Sequence, residues 1–289
     1  MSIIDSIKNL VQDPPAAYAF ELSEAGLAYA SAQGSGFQPA FRDFAPGTLV
    51  ASPLEDNLRD SSAVAATLSA VFPVNGNRKR RAALILPDYA ARLAVLDFDT
   101  FPSSAEEQLP LVRFRIKKSV PFDVDAAQVS YYVQASKKNR VQVVAATVSF
   151  EVLARYETLF RQAGFLPGEI TVAPLALLDM VREPGICVVM KLSGLVLTVM
   201  VLDNNALRLV RCVHLDEGDA EEVLAVLYPT LAYVEDELAA PPDKILHCGF
   251  GAAPEFLQRV AIPAEPLRGK LGAPSAFNAG LFGYLERAL

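Results

Sequence analysis

The residues of this sequence that could perform chemistry are few and widely spaced. Its three cysteines, Cys187, Cys212 and Cys248, have no C-x-x-C spacing, and no serine or cysteine lies at hydrolase-motif spacing from His214 or His247. The sequence therefore supports neither a metal site nor a hydrolase triad. Because free cysteines in an odd number are typical of a reducing compartment, we interpret the thiols as core residues of a cytoplasmic protein.

Two other patterns each allow a chemical and a structural interpretation. Asp97 and Asp99 have the i, i+2 spacing that places two carboxylates on one face of a strand, as an acid–base pair requires. Charged residues also keep an edge strand soluble, and we favour that interpretation. The turn Gly249-Phe250-Gly251-Ala252 follows a predicted strand. Its glycines would let the backbone approach a ligand closely, or would simply turn the chain from a strand into a helix.

Composition and charge exclude several classes of partner. The 289 residues are 52% hydrophobic, which predicts one large or two medium globular domains. The net charge of −7 predicts no overall attraction to nucleic acid. The longest apolar runs are interrupted well below the roughly 18 residues of a membrane span. The N-terminus also lacks the pattern of a signal peptide. We therefore expect a protein without a membrane span of its own.

Hydrophobic periodicity predicts an α/β arrangement for the first part of the chain. The predicted helices cover 3–11, 61–72 (capped by Ser61 or Ser62), 106–120 and 150–163. The predicted strands cover 18–22, 27–32, 82–86, 129–134 and 141–148, with a further short strand between the glycines at 34–36 and Pro46.

The second part of the chain repeats this opening. Strands are predicted over 186–191, 195–202, 206–214 and 244–248, and helices over 217–240, 254–260 and 275–289. Three meandering strands, a helix, a strand and a glycine turn resemble half of a ribonuclease-H-like domain. Since the first part also opens with antiparallel strands before a helix, the pattern indicates a duplicated layout.

Leu86–Val133 contains a strand, an L-P-D turn, a helix and a strand, and Val141–Val181 contains a strand, a helix and a strand. In order and spacing these stretches resemble the type IV pilus assembly protein family PilM. Leu246–Val260 resembles the family's adenosine motif, and residues 278–289 resemble its closing helix. The ordered series from Leu86 to Leu178 is the most specific part of the resemblance.

The resemblance implies an α/β protein with the actin-like, duplicated ribonuclease-H-like fold in two lobes. Residues 1–100 and 165–183 would form the first lobe, 101–164 a small inserted αββα subdomain, and 184–289 the second lobe. Between His214 and Lys244 there is room for only one long helix. The second lobe is therefore expected to lack its outer subdomain.

The resemblance also places the nucleotide-handling positions of actin-like ATPases, which hold phosphates and Mg²⁺ between two hairpins carrying aspartate and glycine. Those positions are occupied here by Glu21, Ser23, Lys191, Ser193, Gly249 and Gly251. Glu21 keeps a carboxylate, but serine replaces glycine in both hairpins, and the Lys191 ammonium cannot bind a metal cation. We therefore expect no metal, no resident cofactor and no ATP hydrolysis, and we keep residual ATP binding open.

PilM proteins clasp the N-terminal cytoplasmic peptide of the bitopic membrane protein PilN between the first lobe and the inserted subdomain, so the resemblance implies a PilN-like partner. The helix over 106–120 and the turn after it are predicted to lie at that groove. The predicted contact residues are Val112, Arg113, Ile116, Lys117, Val120, Pro121 and Phe122. Val120 and Phe122 fit equally well as a cap on the subdomain core.

The same helix is unusually basic. It carries Arg113, Arg115, Lys117 and Lys118, and a second basic run covers 78–81. Together they predict either a surface for anionic lipid or an acidic partner, or an ordinary solvated face.

The leading hypothesis is a cytoplasmic scaffold of a type IV pilus or a related secretion platform, peripheral to the inner membrane through its partner and in contact with other platform proteins. One alternative is an active actin-like ATP-binding protein that polymerises or switches with nucleotide. Another is an unrelated α/β enzyme acting on a small molecule, for which the sequence offers neither a nucleophile nor a convincing acid–base pair.

Overall fold

The computed structural model of the protein describes residues 16–33, 36–73, 79–134, 140–251 and 254–288. The helix predicted over 3–11 lies outside these residues, as do Arg78, Ala252 and Leu289.

Strands and helices alternate through the described chain. The strands are β1 (Tyr18–Leu22), β2 (Gly26–Gln33), β3 (Gly36–Asp43), β4 (Arg80–Leu86), β5 (Arg92–Phe98), β6 (Ala127–Gln134), β7 (Val141–Ser149), β8 (Phe165–Val172), β9 (Ile186–Ser193), β10 (Val196–Asp203), β11 (Ala206–His214), β12 (Lys244–Cys248) and β13 (Ala264–Pro266). The α-helices are α1 (Ser61–Val71), α2 (Ala105–Ile116), α3 (Phe150–Gln162), α4 (Ala173–Leu177), α5 (Ala220–Leu238) and α6 (Ala279–Ala288). Short 3₁₀ helices cover Asp88–Ala90, Val124–Ala126, Leu178–Met180 and Glu255–Arg259.

Two five-stranded sheets share one layout. The first sheet has the order β3-β2-β1-β4-β8 and the second sheet has the order β11-β10-β9-β12-β13. In each, three strands form an antiparallel meander, and two more strands run parallel to its first strand. The predicted duplicated α/β fold is therefore confirmed. Because β1 is parallel to β4, and β9 to β12, the carboxyl ends of each pair meet at one end of their sheet.

Alternating side chains of the first sheet enter two different cores. Phe20 and Leu84 pack beneath α1 and α3, where the ring of Phe160 stands edge-on to that of Phe20 with centroids 5.1 Å apart. Ala19 and Ile85 face the opposite way, against α4 and α6. The last helix, predicted to belong to the second lobe, thus packs on the first sheet.

The second sheet is built around β10, whose sequence V-L-T-V-M-V-L-D is buried along its whole length. Val199 faces α5, while Met200 faces the opposite core, which includes Phe282 of α6. A nearly continuous apolar run is typical of a strand covered on both faces. Between His214 and Lys244 the only long element is α5, so the reduced second lobe is as predicted.

The third sheet, called here the small sheet, has the order β5-β7-β6 and is covered on one face by α2. Its membership differs from the predicted αββα subdomain over 101–164. Strand β5 precedes residue 101, yet it pairs with β7. Helix α3 instead contributes Tyr156 and Phe160 to the core of the first sheet. We keep the division into two lobes and an inserted subdomain as a proposal, with β5 assigned to the subdomain.

Three element boundaries differ from the prediction for local reasons. Asp60, and not Ser61 or Ser62, caps α1, because its carboxylate accepts the N–H of Ala63 at 2.9 Å. Helix α2 ends at Ile116 and not near residue 120, since the N–H of Ser119 turns back to the Ile116 carbonyl at 2.8 Å. The helix predicted over 254–260 is the short 3₁₀ helix at Glu255–Arg259.

Candidate functional site

The two hairpins of interest face each other because of the strand order. Glu21 lies near the carboxyl end of β1, and the Leu86-Pro87-Asp88 turn follows the neighbouring strand β4. Lys191 lies near the end of β9, directly opposite Thr198 of β10. These four side chains meet in the space between the first and second sheets, and we call them the Lys191 cluster.

Hydrogen bonds and ion pairs join the members of the Lys191 cluster. The Lys191 ammonium lies 2.5 Å from Asp88 Oδ2 and 3.9 Å from Glu21 Oε1. The hydroxyl of Thr198 donates to Asp88 Oδ1 at 2.9 Å. No member is more than 4% exposed. The cluster therefore pairs a buried cation of the second sheet with two carboxyl groups of the first sheet.

Glu21 also connects the Lys191 cluster to the last helix. Its Oε2 accepts the backbone N–H of Leu281, in the first turn of α6, at 2.7 Å. A carboxylate at this position satisfies one of the unpaired N–H groups at a helix start and interacts favourably with the helix dipole. A residue aligned with a metal-binding position thus serves as a cap for α6 and as a neighbour of Lys191.

Burial and charge act in opposite directions on the pKa values of the Lys191 cluster. Burial raises the pKa of Glu21 to about 7, although the Lys191 ammonium and the Leu281 N–H oppose the shift. Burial by itself would lower the pKa of Lys191, but Asp88 and Glu21 outweigh it, so that this pKa is raised. Lys191 therefore stays protonated at neutral pH.

The space between the two hairpins is almost filled. The cavity there measures about 10 Å³, roughly the space of one water molecule. Its lining residues are Glu21, Leu22, Ser23, Glu24, Ala51, Pro87, Asp88, Tyr89, Lys191, Ser193 and Val196. In this conformation the cleft has no room for a triphosphate with its magnesium ion.

The six residues aligned with nucleotide positions are only partly brought together. Ser23 and Ser193 line the same small cavity as Glu21 and Lys191. The Ser23 hydroxyl accepts the N–H of Gly26 at 3.2 Å, which closes the turn of its own hairpin. Gly249 and Gly251 do not line this cavity, so the sequence-based grouping holds for the two hairpins and not for the glycine turn.

Asp88 and Thr198 are the members of the Lys191 cluster that sequence reasoning missed. For Asp88 the signal was present, since Pro87-Asp88 directly follows the buried strand β4, whose end lies beside that of β1. Because acceptors at adjacent strand ends of a parallel pair share one edge, an aspartate there could have been assigned to the same cleft as Glu21.

The stability of the protein is expected to fall as the pH rises through the titration of Glu21. Since the pKa of Glu21 is raised from 4.5 to about 7, the folded state keeps a proton in that window which the unfolded chain releases. The loss should be about 2 kcal/mol between pH 5 and pH 7. Urea unfolding of the wild type and of Glu21→Gln at both pH values measures it, because glutamine can still accept the Leu281 N–H.

His247 changes the stability with pH in the opposite direction. Because burial lowers its pKa, its protonation at acidic pH favours the unfolded chain. That contribution is present in both proteins, so the difference between the wild type and Glu21→Gln isolates Glu21. Identical pH dependence in the two proteins would contradict the assignment.

An apolar groove runs between the first sheet and the small sheet. It has a volume of about 160 Å³ and adjoins a second cavity of about 400 Å³, with which it shares Thr171 and Leu175. The residues lining this apolar groove are Leu86, Ala91, Gln128, Ser130, Ala146, Thr147, Val148, Leu153, Ile170, Thr171, Val172 and Leu175. Its walls come from β8, which is the edge strand of the first sheet, and from β6 and β7 of the small sheet.

Thr147 adjoins the apolar groove, but its side chain faces away from it. Thr147 pairs with Val129 and lies two residues from Ala145, and both of these face α2. Its buried Oγ1 has no hydrogen-bond partner among the described residues. The residues of β7 that face the groove are therefore Ala146 and Val148, which makes this wall apolar.

Helix α2 lies away from the apolar groove. In β6, Gln128 and Ser130 face the groove, whereas Val129 and Tyr131 face α2, as the alternation of a strand requires. The sequence placed the partner groove at α2, and the structure corrects this placement, because α2 covers the opposite face of the small sheet.

The seven residues predicted to contact a partner have different environments. Val112 and Ile116 are 0% exposed in the core of the small sheet, so they offer no surface, which corrects that part of the prediction. Arg113 donates to the carbonyls of Val124 and Ala127, at 2.7 and 3.1 Å. For Lys117, Val120, Pro121 and Phe122, partner binding stays a prediction.

Arginines of both predicted basic runs make contacts within the protein. Arg80 stacks on the ring of Phe165, with 4.0 Å to its centroid, and donates to the Ala163 carbonyl at 3.1 Å. Arg115 donates to the carbonyl of Asp97 at 3.1 Å. The two predicted basic runs therefore do not combine into one free patch.

The remaining candidate groups show no catalytic arrangement in the part of the chain that the structure describes. Asp97 accepts the Gln142 amide at 2.9 Å, and Asp99 lies 3.6 Å from Arg140, so each aspartate has a partner of its own. No group of histidine, cysteine or acidic residues within the described ranges could hold a metal ion. None of the helices among those residues is long and apolar enough to span a membrane.

The repeated sheet layout and the opposed hairpins define an actin-like fold. Comparison with solved structures agrees. The PilM–PilN type IV pilus biogenesis complex contains a chain that matches 96% of this one over 99% of its own length, at 16% identity and a TM-score of 0.71.

Two further structures show the same fold. The cytoplasmic domain of EpsL from Vibrio cholerae, an inner-membrane component of the type II secretion system, matches 93% of this chain over 94% of its own length, at 15% identity and a TM-score of 0.57. A Bacteroides thetaiotaomicron protein with the actin-like ATPase fold and unknown function matches 97% over 99%, at 13% identity and a TM-score of 0.57. No protein-family model and no curated protein matches the sequence.

Proposed function

We propose that this protein is a scaffold of a type IV pilus or related secretion platform that works without nucleotide. The observation that carries the proposal is the Lys191 cluster. An ammonium with two buried carboxylates fills the cleft in which an actin-like ATPase would hold phosphate and magnesium. Because Lys191 and Thr198 belong to the second sheet and Glu21 and Asp88 to the first, the cluster fixes the two sheets relative to each other without a ligand.

The partner of this scaffold is a membrane protein with a short cytoplasmic peptide. Support comes from the two similar structures, one of a PilM–PilN pilus complex and one of an inner-membrane component of a secretion system. By this proposal the protein lies on the cytoplasmic side of the inner membrane, held there by a PilN-like partner and by other platform proteins.

The apolar groove is the binding site for that peptide. Its aliphatic walls include Leu153, Ile170 and Leu175, which are half-buried and so still offer apolar surface. Each peptide side chain that is fully inserted would contribute about 1.5–3 kcal/mol.

Blocking the apolar groove is expected to abolish peptide binding. Ser130 is exposed and lines the groove, so arginine in its place would fill the groove with little effect on folding. We expect Ser130→Arg to weaken, by at least about tenfold, or 1.4 kcal/mol, the binding of N-terminal tail peptides from single-span membrane proteins encoded beside this gene. Fluorescence anisotropy with labelled peptides measures the affinity.

Ser103→Arg is the matched control. It makes the same substitution at an exposed serine that does not line the groove, so its affinity should equal that of the wild type. Equal peptide affinity in Ser130→Arg and Ser103→Arg would contradict the assignment of the groove. An absolute requirement of peptide binding for Mg–ATP would contradict the nucleotide-independent part of the proposal.

A further inference from the structure

A second groove shares Ala91 with the apolar groove and otherwise lies at the opposite edge of the small sheet. It has a volume of about 550 Å³ and runs between the start of β5, the turn after α2, and β11. Its lining includes Arg92, Lys118 and Arg211, and none of its lining residues is acidic. We call it the basic groove. A concentration of positive charge is unexpected in a chain whose net charge is −7.

Within the part of the chain that the structure describes, the cations of the basic groove have no acidic partner. Neither Lys118 nor Arg211 forms an ion pair or hydrogen bond with any described residue. Arg92 is held over the Tyr89 ring, 4.5 Å from its centroid, and donates to the Tyr89 hydroxyl at 3.3 Å, which positions its charge without neutralising it.

Several other surface cations of the protein are paired with carboxylates. Arg155 lies 2.7 Å from Asp56, and Lys244 lies 3.1 Å from Glu183. In the basic groove, by contrast, three cations without a carboxylate partner among the described residues line one concave site. Such a site attracts an anionic group and raises its local concentration.

The remaining walls of the basic groove indicate what kind of anion fits. Val120, Val210 and Val213 line it, so a ligand must offer apolar groups beside its negative charges. Strand β11 is also the edge strand of the second sheet, and an edge strand presents unpaired backbone groups to an incoming strand. Near the start of β11 both backbone groups of Leu207 are occupied by the Gln134 side chain, at 2.7 and 2.8 Å. The stretch open to pairing is therefore the one that lines the groove.

We propose that the basic groove binds an extended acidic segment of a second protein partner, with acidic side chains on Arg92, Lys118 and Arg211 and intervening apolar side chains on the valines. Val120 and Pro121, which the sequence assigned to partner binding, line this groove and not the apolar groove. Because β6 lines the apolar groove and β5 lines the basic groove, two partners bind at opposite edges of the small sheet at the same time.

The probe for this proposal is a fluorescein-labelled twelve-residue peptide of alternating glutamate and valine, compared by anisotropy with a lysine–valine peptide. The acidic peptide should bind the full chain and weaken with salt, and Lys118→Glu/Arg211→Glu should lower its affinity at least tenfold. The control Arg42→Glu/Lys270→Glu makes the same change in net charge at exposed residues outside the groove, and should keep the affinity within twofold. Lys118→Gln/Arg211→Gln, which removes charge without reversing it, tests the same site should the first variant unfold.

Hydrogen exchange of the Val210–Val213 amides should slow when the acidic peptide is bound.

Loss of affinity in the Arg42→Glu/Lys270→Glu control equal to that in the groove variants would overturn the proposal, as would absence of binding at millimolar peptide. Binding of phosphatidylglycerol vesicles that the groove variants abolish, without peptide binding, would overturn it in favour of a lipid surface. Competition by inorganic phosphate alone, with no binding of the peptide, would overturn it in favour of a small anion. Ser130→Arg should leave this affinity unchanged, which separates the basic groove from the apolar groove.

Discussion

Replacing Lys191 with methionine is expected to destabilise the protein by about 3–5 kcal/mol, the usual cost of removing one partner from a buried ion pair. Methionine fits the space of the lysine stem, so the loss is electrostatic and not a cavity effect. Asp88, which is 4% exposed, would lose its cation and be left with the Thr198 hydroxyl as its side-chain donor among the described residues. Urea unfolding at pH 7 measures the change in the free energy of unfolding.

Removing the matching charge should recover much of that loss. In Lys191→Met/Asp88→Asn the unpaired Asp88 carboxylate is removed, and asparagine still accepts the Thr198 hydroxyl, so we expect at least about 2 kcal/mol to return. Lys270→Met, at an exposed lysine, should change stability by less than about 0.5 kcal/mol. A loss below about 1 kcal/mol in Lys191→Met would contradict the role of the Lys191 cluster.

Replacing Gly249 with alanine is expected to cost about 3 kcal/mol, for two reasons. Gly249 has a φ of +89°, a backbone conformation that disfavours any residue with a Cβ by about 1–2 kcal/mol. A Cβ at Gly249 would also lie 2.1 Å from the carbonyl oxygen of Leu192, and relieving such an overlap costs about 1–3 kcal/mol more. Leu192 directly follows Lys191, so Gly249 packs against the hairpin that carries the Lys191 cluster.

Gly251→Ala is the matched comparison for this prediction. Gly251 has a similar φ of +77°, but nothing lies within 4 Å of the position its Cβ would take. We therefore expect a loss of only about 1–2 kcal/mol, from the backbone conformation alone. Equal losses in the two variants, measured by urea unfolding, would show that contact with Leu192 is not the reason for a glycine at position 249.

The fold could be predicted from the sequence where local patterns were strong. The strands Tyr18–Leu22 and Lys244–Cys248 have the predicted bounds, because short apolar runs there are bounded by turn residues. The place of Lys191 in the second hairpin also followed from the order of elements. Its partner Asp88 is 103 residues away, so no periodicity connects the two, and the available signal was the position of Asp88 after β4, beside the end of β1.

The partner surface was predicted less well, and one reason is visible in the sequence. Val112 and Ile116 are four residues apart on one helical face, which is the spacing of a stripe that faces a core. That signal favoured burial over partner contact, and burial is what the structure has. The apolar groove could not be found in the same way, because its walls come from β8 and from β6 and β7, which meet only in the folded chain.

The proposed function requires that the cleft between the two hairpins is closed by the protein's own charges and takes no nucleotide. Thermal unfolding of the purified chain with and without Mg–ATP tests it directly. A ligand at a hundredfold excess over its Kd adds about 2.7 kcal/mol of stability, which for a chain of this size raises Tm by about 4 °C. We expect a change of less than about 1 °C at millimolar Mg–ATP. A rise of about 4 °C or more, lost on mutating Glu21, would contradict the account.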